Sequence, residues 1–295
     1  VCEGVDVRHA LAVAERITEA MVPPFMVQGR EVRVTASIGI ALDDGTGPEA
    51  LVANADAAMY LAKRRGRARA ELYDQSLRDE VVRRLETEVA LGDALARGEL
   101  CVHYQPVVDL TGGLHGLEAL VRWERPGVGL VPPADFIPLS EETNLVVDIG
   151  TFVLEEATSQ AVALRRAGVL PGGGFIAVNV SARQLVRADL VPAVRSVVAV
   201  LAAADLALAL EITESVAITE PDRTIDVLDA LRAAGASLAI DDFGAGFTSL
   251  GYLKRFPVDV LKIDRGFVRG VGHDAADRAI VAAVTEIGHG LGLAV

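Results

Sequence analysis

Apolar positions recur with two different periods along this chain, and the points where the period changes mark its elements. Residues 9–21 ("HALAVAERITEAM") carry apolar side chains at helical spacing, which predicts an amphipathic helix. Residues 25–42 ("FMVQGREVRVTASIGIAL") read as strands joined at a Gly-containing turn, and 48–66 ("PEALVANADAAMYLAKRRG") as a helix with Pro near its start and Gly at its end. Closed by "ARAELYD", these segments predict a small α+β unit over residues 1–74. From Gln75 to Arg97, apolar Leu77, Val81, Leu85, Val89 and Leu95 recur near helical spacing between charges, which predicts a linker helix over 75–97. That helix either transmits signals between domains or packs under the second one.

Over residues 98–295 strand-like runs alternate with helix-like ones: "LCVHYQPVVDL", "LHGLEALVRWE", "GFIAVNVS", "LALALEIT", "SLAIDDF", "VLKID" and finally "LAV". Such alternation argues for a parallel α/β sheet or barrel. One connection departs from it. Only "TGG" or so separates the first two runs, and parallel neighbours need a crossover of about a dozen residues or more, so this pair is expected to be an antiparallel hairpin. The first strand then runs backwards, and its beginning lies at the mouth where the other strands end.

Composition narrows the function. About half of the 295 residues are apolar and 4% aromatic, which suits globular structure with room for two domains. A formal charge of -13 argues against a general DNA, RNA or anionic-membrane binder, so a phosphate ligand must be held by local cations or metals. Cys2 and Cys101 fit neither a disulfide framework nor a clustered metal site, which makes the cytoplasm the default compartment. The longest apolar stretch, Val197 to Ala204, is cut by Asp205 and is too short to span a bilayer. The chain opens on Val1 and closes on the strand-like "GLGLAV", which reads as a fragment whose barrel stops in its seventh strand.

A polar group appears late in nearly every strand of the second domain. Glu118, Asn179, Glu211, Asp241 and Lys262 fall on five successive strands, flanked by aliphatics such as Ala119 and Val121, Val178 and Val180, or Leu261 and Ile263. If the aliphatics face an outer ring of helices, all five polar groups face the barrel axis. Asp242 joins Asp241 there only if the strand stops and the chain turns, which Gly244 and Gly246 allow. Glu118, Glu211, Asp241 and Asp242 then supply four negatives against Lys262. All-oxygen ligands, the Asn179 carbonyl included, suit Mg²⁺ or Mn²⁺ rather than zinc. Two such ions would balance four carboxylates, and metal pairs about 3.5–4 Å apart are a standard device for displacement at phosphorus.

Around this cluster, Arg122 lies four residues after Glu118 on the same strand face, where its fork suits a non-reacting phosphate; taken alone it reads first as a surface ion pair with Glu124. Gln105 starts the reversed strand, as a cap beside Pro106 or as a ligand contact at the same mouth. Glu214 and Asp264 are expected to support and orient the ligands rather than to join them. His103, His115, His273 and His289 show no metal spacing.

These residues fall in motifs that resemble the EAL domain, the cyclic di-GMP phosphodiesterase of bacterial signalling: "YQP" (104–106), "EALVRW" (118–123), "NVSARQL" (179–185), "EITES" (211–215), "DDFGAGFTSL" (241–250) and "LKIDRGFV" (261–268). The resemblance implies a TIM-like (β/α)8 barrel with an antiparallel first strand. It implies metal ligation by Glu118, Asn179, Glu211 and Asp241, with Asp242 on a second ion. Lys262 would hold the attacking water, Arg122 a substrate phosphate, and Glu214 the loop that begins at Asp242, the product being linear 5′-pGpG. Phe247, Thr248 and Asn144 stand where the family usually has Tyr, Ser and Gly.

Residues 1–74 resemble the back part of a GGDEF domain, the diguanylate cyclase fold, through "SIGIA" (37–41) and "ADAAMYLAKRRGR" (55–67). Lys63 and Arg67 would correspond to its triphosphate-contacting cations. The expected partner is cyclic di-GMP, with a homodimer, an upstream sensory domain and membrane tethering of the parent all compatible. Two rivals stand beside the hydrolase: a receptor that binds cyclic di-GMP without cleaving it, and a bifunctional cyclase and hydrolase.

Overall fold

The protein, seen in a computed structural model, is described over residues 6–27, 30–43, 45, 47–214, 221–244 and 253–295, with backbone alone at 27, 30, 75–83, 221 and 222. It divides into two compact units, Val1–Ala90 and Leu91–Val295. Among the described residues no helix is long and apolar enough to cross a membrane.

In the first unit, helix α1 (Val7–Ala20) starts at Asp6, whose carboxylate accepts from His9 N at 2.9 Å and so satisfies one free N–H of the first turn. Strands β1 (Phe25–Val27) and β2 (Arg30–Val32) pair antiparallel, and β3 (Ile38–Ile40) stands apart from them. Helix α2 (Pro48–Arg64) follows, then β4 (Ala70–Leu72), which pairs with β3 in parallel. A Cβ at Gly39 would lie 1.9 Å from Ala55 O, so only glycine lets α2 press its backbone against β3. Ala58 and Leu61, with Tyr73 packed against them, form a small core here. Helix α3 (Gln75–Ala94) carries the chain onward.

The second unit opens with the hairpin of β5 (Leu100–Val108) and β6 (Leu114–Arg125), antiparallel as the short connection requires. Asp109 shapes its turn by accepting from Thr111 N at 2.8 Å and Gly113 N at 2.9 Å. Strand β7 (Gly129–Val131), which the alternation of longer runs does not predict, folds back on the end of β6. Helices α4 (Pro133–Thr143) and α5 (Leu145–Arg166) meet at Asn144, whose φ of 63° is left-handed. Glycine adopts such backbone freely, and Asn is among the residues that tolerate it.

The chain continues through β8 (Gly174–Asn179), α6 (Ala182–Leu185), α7 (Leu190–Ala203), β9 (Leu206–Thr213), α8 (Pro221–Ala233) and β10 (Ser237–Phe243). Strand β11 (Val260–Ile263) and helices α9 (Arg265–Gly270) and α10 (Ala275–Gly290) complete it. The sheet order is β11-β10-β9-β8-β6-β5, parallel apart from β5, with β7 beside β6. Ala294 bridges to Val260 in parallel, so the final run enters the same sheet next to β11.

Alternate residues of these strands divide as the pattern predicts. Ile176, Val178, Leu208, Leu210, Ile212, Leu238, Ile240 and Leu261 are all buried, as the helix-covered face of a parallel strand must be. The opposite set is small where it is deep, Ala177, Ala209 and Ala239, and polar at the strand ends. Small side chains there leave room above them for the polar groups to converge.

Candidate active site

Five strands bring together the five polar residues that the alternation singles out. Asn179 on β8 is in register with Glu211 on β9, Glu118 on β6 with Ala177, and Asp241 on β10 with Thr213. One ligand oxygen from each of Glu118, Glu211 and Asp241 lies within 4.8 Å of the others, an arrangement that suits a metal ion. The Lys262 ammonium sits among them, donating to Glu211 at 2.5 Å, Asp241 at 3.2 Å and Glu118 at 3.5 Å.

Charge is unbalanced in this cluster. Burial pushes the Glu211 carboxyl up to about 7; Lys262 opposes that shift and is outweighed, since Glu118 and Asp241 push the same way as burial. Burial alone would lower the Lys262 ammonium, yet Glu211, Asp241 and Glu118 together hold it above the ordinary lysine value. The Asp242 carboxyl is raised by burial first, then by Asp241 and Asp264. Carboxylate oxygens gathered in surplus over the positive charge beside them are a ready host for a cation.

Three expectations need correction. The strand does not stop at Asp241 but runs on to Phe243, and the register against β11 shifts between Ile240 and Phe243. Asp242 sits in that bulge with φ 52°, so left-handed backbone at the aspartate itself re-aims the chain, a device Asp tolerates. Gly244, at φ 100°, comes only afterwards, and Gly246 lies outside the described residues. Gln105 does not start its strand; it lies mid-strand, exposed, as the direct cross-strand partner of Glu118. Asn179 donates its amide nitrogen to Glu118 at 3.2 Å, which keeps its side chain at the cluster. Asp264 caps α9 by accepting from Gly266 N at 2.7 Å, while the partners of Lys262 are the three carboxylates.

The remaining residues are placed as follows. Arg122 donates to the Val121 carbonyl at 2.8 Å and is half-buried. Glu214, only 5% exposed, accepts from Gly244 N at 3.0 Å and so ties the end of β9 to the segment after Asp242. Lys63, in α2, and Arg67, at φ 58°, are exposed in the first unit. Phe247 and Thr248 lie outside the described residues. A cavity of about 440 Å³ opens beside the cluster, lined by Glu118, Asn179 and Asp241 on one side and by Ile137, Val146 and Val153 on another. Its mix of apolar wall and few polar groups suits a small organic ligand.

One further element lies beside the cluster. Ser181 and Gln184 form a capping box at α6, two residues beyond Asn179. Its signal was the S-x-x-Q spacing within "NVSARQL".

Comparison with known proteins places these observations in a family. Residues 88–295 match the EAL domain, and residues 3–69 the diguanylate cyclase GGDEF domain. The bifunctional diguanylate cyclase/cyclic di-GMP phosphodiesterase MucR of Pseudomonas aeruginosa is 42% identical over 294 residues, 99% of this chain and 43% of MucR. The cyclic di-GMP phosphodiesterase PdeR of Escherichia coli is 35% identical over 286 residues, 96% of this chain and 43% of PdeR. The chain therefore spans less than half the length of these relatives. Among solved structures, the PaMucR phosphodiesterase in complex with c-di-GMP superposes with a TM-score of 0.64 at 44% identity, over 70% of this chain and 84% of that one. The EAL enzyme Bd1971 with cAMP and cyclic-di-GMP bound gives 0.64 at 29% identity, over 72% and 58%.

Proposed function

The chain belongs to the EAL domain family, a TIM-like barrel fold, and we propose that it hydrolyses cyclic di-GMP to linear 5′-pGpG. The observation that carries this reading is the convergence of Glu118, Glu211 and Asp241 within 4.8 Å around one ammonium at the ends of parallel strands. The relatives MucR and PdeR are both described as cyclic di-GMP phosphodiesterases.

The donor set fits hard divalent cations, since it is all carboxylate oxygen with a surplus of negative charge. Glu118, Glu211 and Asp241 would hold one ion, joined by the Asn179 carbonyl once its amide is turned over; Asp242 would serve a second. Mg²⁺ or Mn²⁺ bound there would supply positive charge at the phosphate and acidify a water. The chain's own residues do the rest. Lys262 holds the attacking water by donating to it, Arg122 leaves the Val121 carbonyl to clamp the non-reacting phosphate, and Gln105, opposite Glu118, contacts the ligand from the neighbouring strand. Water oxygen bonds to phosphorus, the bond from phosphorus to the 3′ oxygen breaks, and of the water's two hydrogens one ends on the 3′ oxygen as the leaving hydroxyl and the other on the new phosphate or in solvent. Glu214 keeps the segment after Asp242 in place through Gly244 N, and Asp264 stays with its helix.

In the first unit, Lys63 and Arg67 are proposed as phosphate-contacting cations of the cyclase-like part, which keeps a bifunctional parent in view. Two isolated cysteines and the acidic charge support a cytoplasmic site of action. A homodimer and an upstream sensory domain belong to the same proposal.

The test is incubation of the chain with cyclic di-GMP and Mn²⁺, followed by separation of products. Release of pGpG that stops on addition of excess chelator supports the hydrolase. Tight binding of intact dinucleotide with no product in Mn²⁺ would establish the receptor instead. Ca²⁺, with its longer and looser coordination, should sustain binding and little turnover.

A further inference from the structure

Asn179 ends its strand at the cluster, and what fixes the chain just beyond it is unusual. Val180 N donates to Glu211 O at 2.8 Å, which ties one side of the segment to the neighbouring strand. On the other side the Gln184 carboxamide oxygen accepts from both Ser181 N and Ser181 Oγ, each at 3.0 Å. Gln184 is only 8% exposed, and its own place depends on α5. A Cβ at position 150 would lie 2.0 Å from Gln184 Nε2 and 2.5 Å from its Cδ, so the carboxamide rests where Gly150 leaves the helix surface bare. Gly150 and Gln184 line both the cavity at the mouth and a groove of about 800 Å³ between α5 and α7. A single carboxamide thus stands between the catalytic mouth and the outer helical layer.

We infer that Gln184, seated against Gly150, is a positioning residue for Asn179. It holds the turn at Ser181 so that the Asn179 side chain is presented to Glu118 and to a cation there. This rests on the metal reading of the cluster proposed above. The capping box and the bare glycine surface are separate observations, and both converge on the same two-residue span after Asn179.

The experiment is Mn²⁺ titration of the whole chain, with free ion followed by electron paramagnetic resonance, alongside thermal unfolding. Gln184→Met keeps the bulk and loses the acceptor; it should raise the Mn²⁺ dissociation constant about tenfold, as loss of a group orienting a metal ligand typically does. Gly150→Ala leaves the chemistry of Gln184 intact and displaces it; it should give a shift in the same direction. In an Asn179→Ala background, Gln184→Met should change the constant less than about twofold, because the residue it positions is gone. Equal shifts in both backgrounds, or none in the wild-type background beside a lowered unfolding midpoint, would show a purely structural role and overturn the inference. A wild-type chain that takes up no Mn²⁺ overturns the metal reading itself, and the inference with it.

Discussion

The two ends of the same parallel strands treat charge in opposite ways. Where the strands begin, two acids have cations of their own: Asp259 meets Arg232 at 2.9 Å and also accepts from Leu238 N at 2.9 Å, and Asp205 meets Arg165 at 3.3 Å. Where the strands end, Glu118, Glu211 and Asp241 share the one ammonium of Lys262. Matched, half-exposed pairs of the first kind contribute about 0–1 kcal/mol and staple a rim. A buried surplus of one sign is costly to the fold and persists where a ligand of the other sign is to arrive. The balance of charge, more than its amount, separates the scaffold end of this sheet from the working end.

The comparison breaks first at Lys262. Lys262→Ala, and likewise Glu118→Gln, should lower kcat by about 10²–10³-fold while cyclic di-GMP still binds, since both touch the reacting centre. Single-turnover rates and a binding isotherm for each variant separate the two effects. Complete loss of binding in Lys262→Ala with normal binding in Arg122→Ala would reverse the assigned roles.

Arg122→Ala comes next, with a dissociation constant for cyclic di-GMP raised about tenfold or more and a smaller change in kcat. A charge-assisted bond to phosphate is worth about 1.5–3 kcal/mol, and this chain, at -13, offers little other attraction. Calorimetric titration in Ca²⁺ measures it without turnover.

The pH dependence of stability sharpens the contrast further. Glu211 has a folded value of about 7 against 4.5 in its ordinary state, so between those values the folded chain holds a proton that the unfolded chain has released. Stability of the metal-free protein should therefore fall as pH rises from 4.5 to about 7 and level off above it. Lys262 adds no slope in this window, because its raised value keeps it charged in both states there. Mn²⁺ should flatten the decline; thermal midpoints across the range, with and without the ion, test both points.

The smallest effect belongs to the other end. Arg232→Ala should cost about 1 kcal/mol or less and leave kcat unchanged, because Asp259 keeps its bond to Leu238 N. Denaturant unfolding beside a steady-state assay would detect a larger loss or a change in rate.

Much of the molecule was readable along the chain. Strand periodicity placed Glu118, Asn179, Glu211, Asp241 and Lys262 on one face because successive side chains of any strand must alternate, a rule that needs no knowledge of neighbours. The reversed β5 followed from a connection too short to cross over. Other features depend on which surfaces meet. Gln105 stands opposite Glu118 through the hairpin register, not through its place in the strand. The bend at Asp242 is a bulge between two strands, Asp264 goes to a helix end formed just after it, and Gln184 finds its seat on a glycine of α5, more than thirty residues earlier. Alternation and turn length are properties of covalent geometry and act within a few residues. Register, bulges and the seating of one side chain on a distant helix are settled only when separated segments close against each other, and there the tertiary structure alone decides.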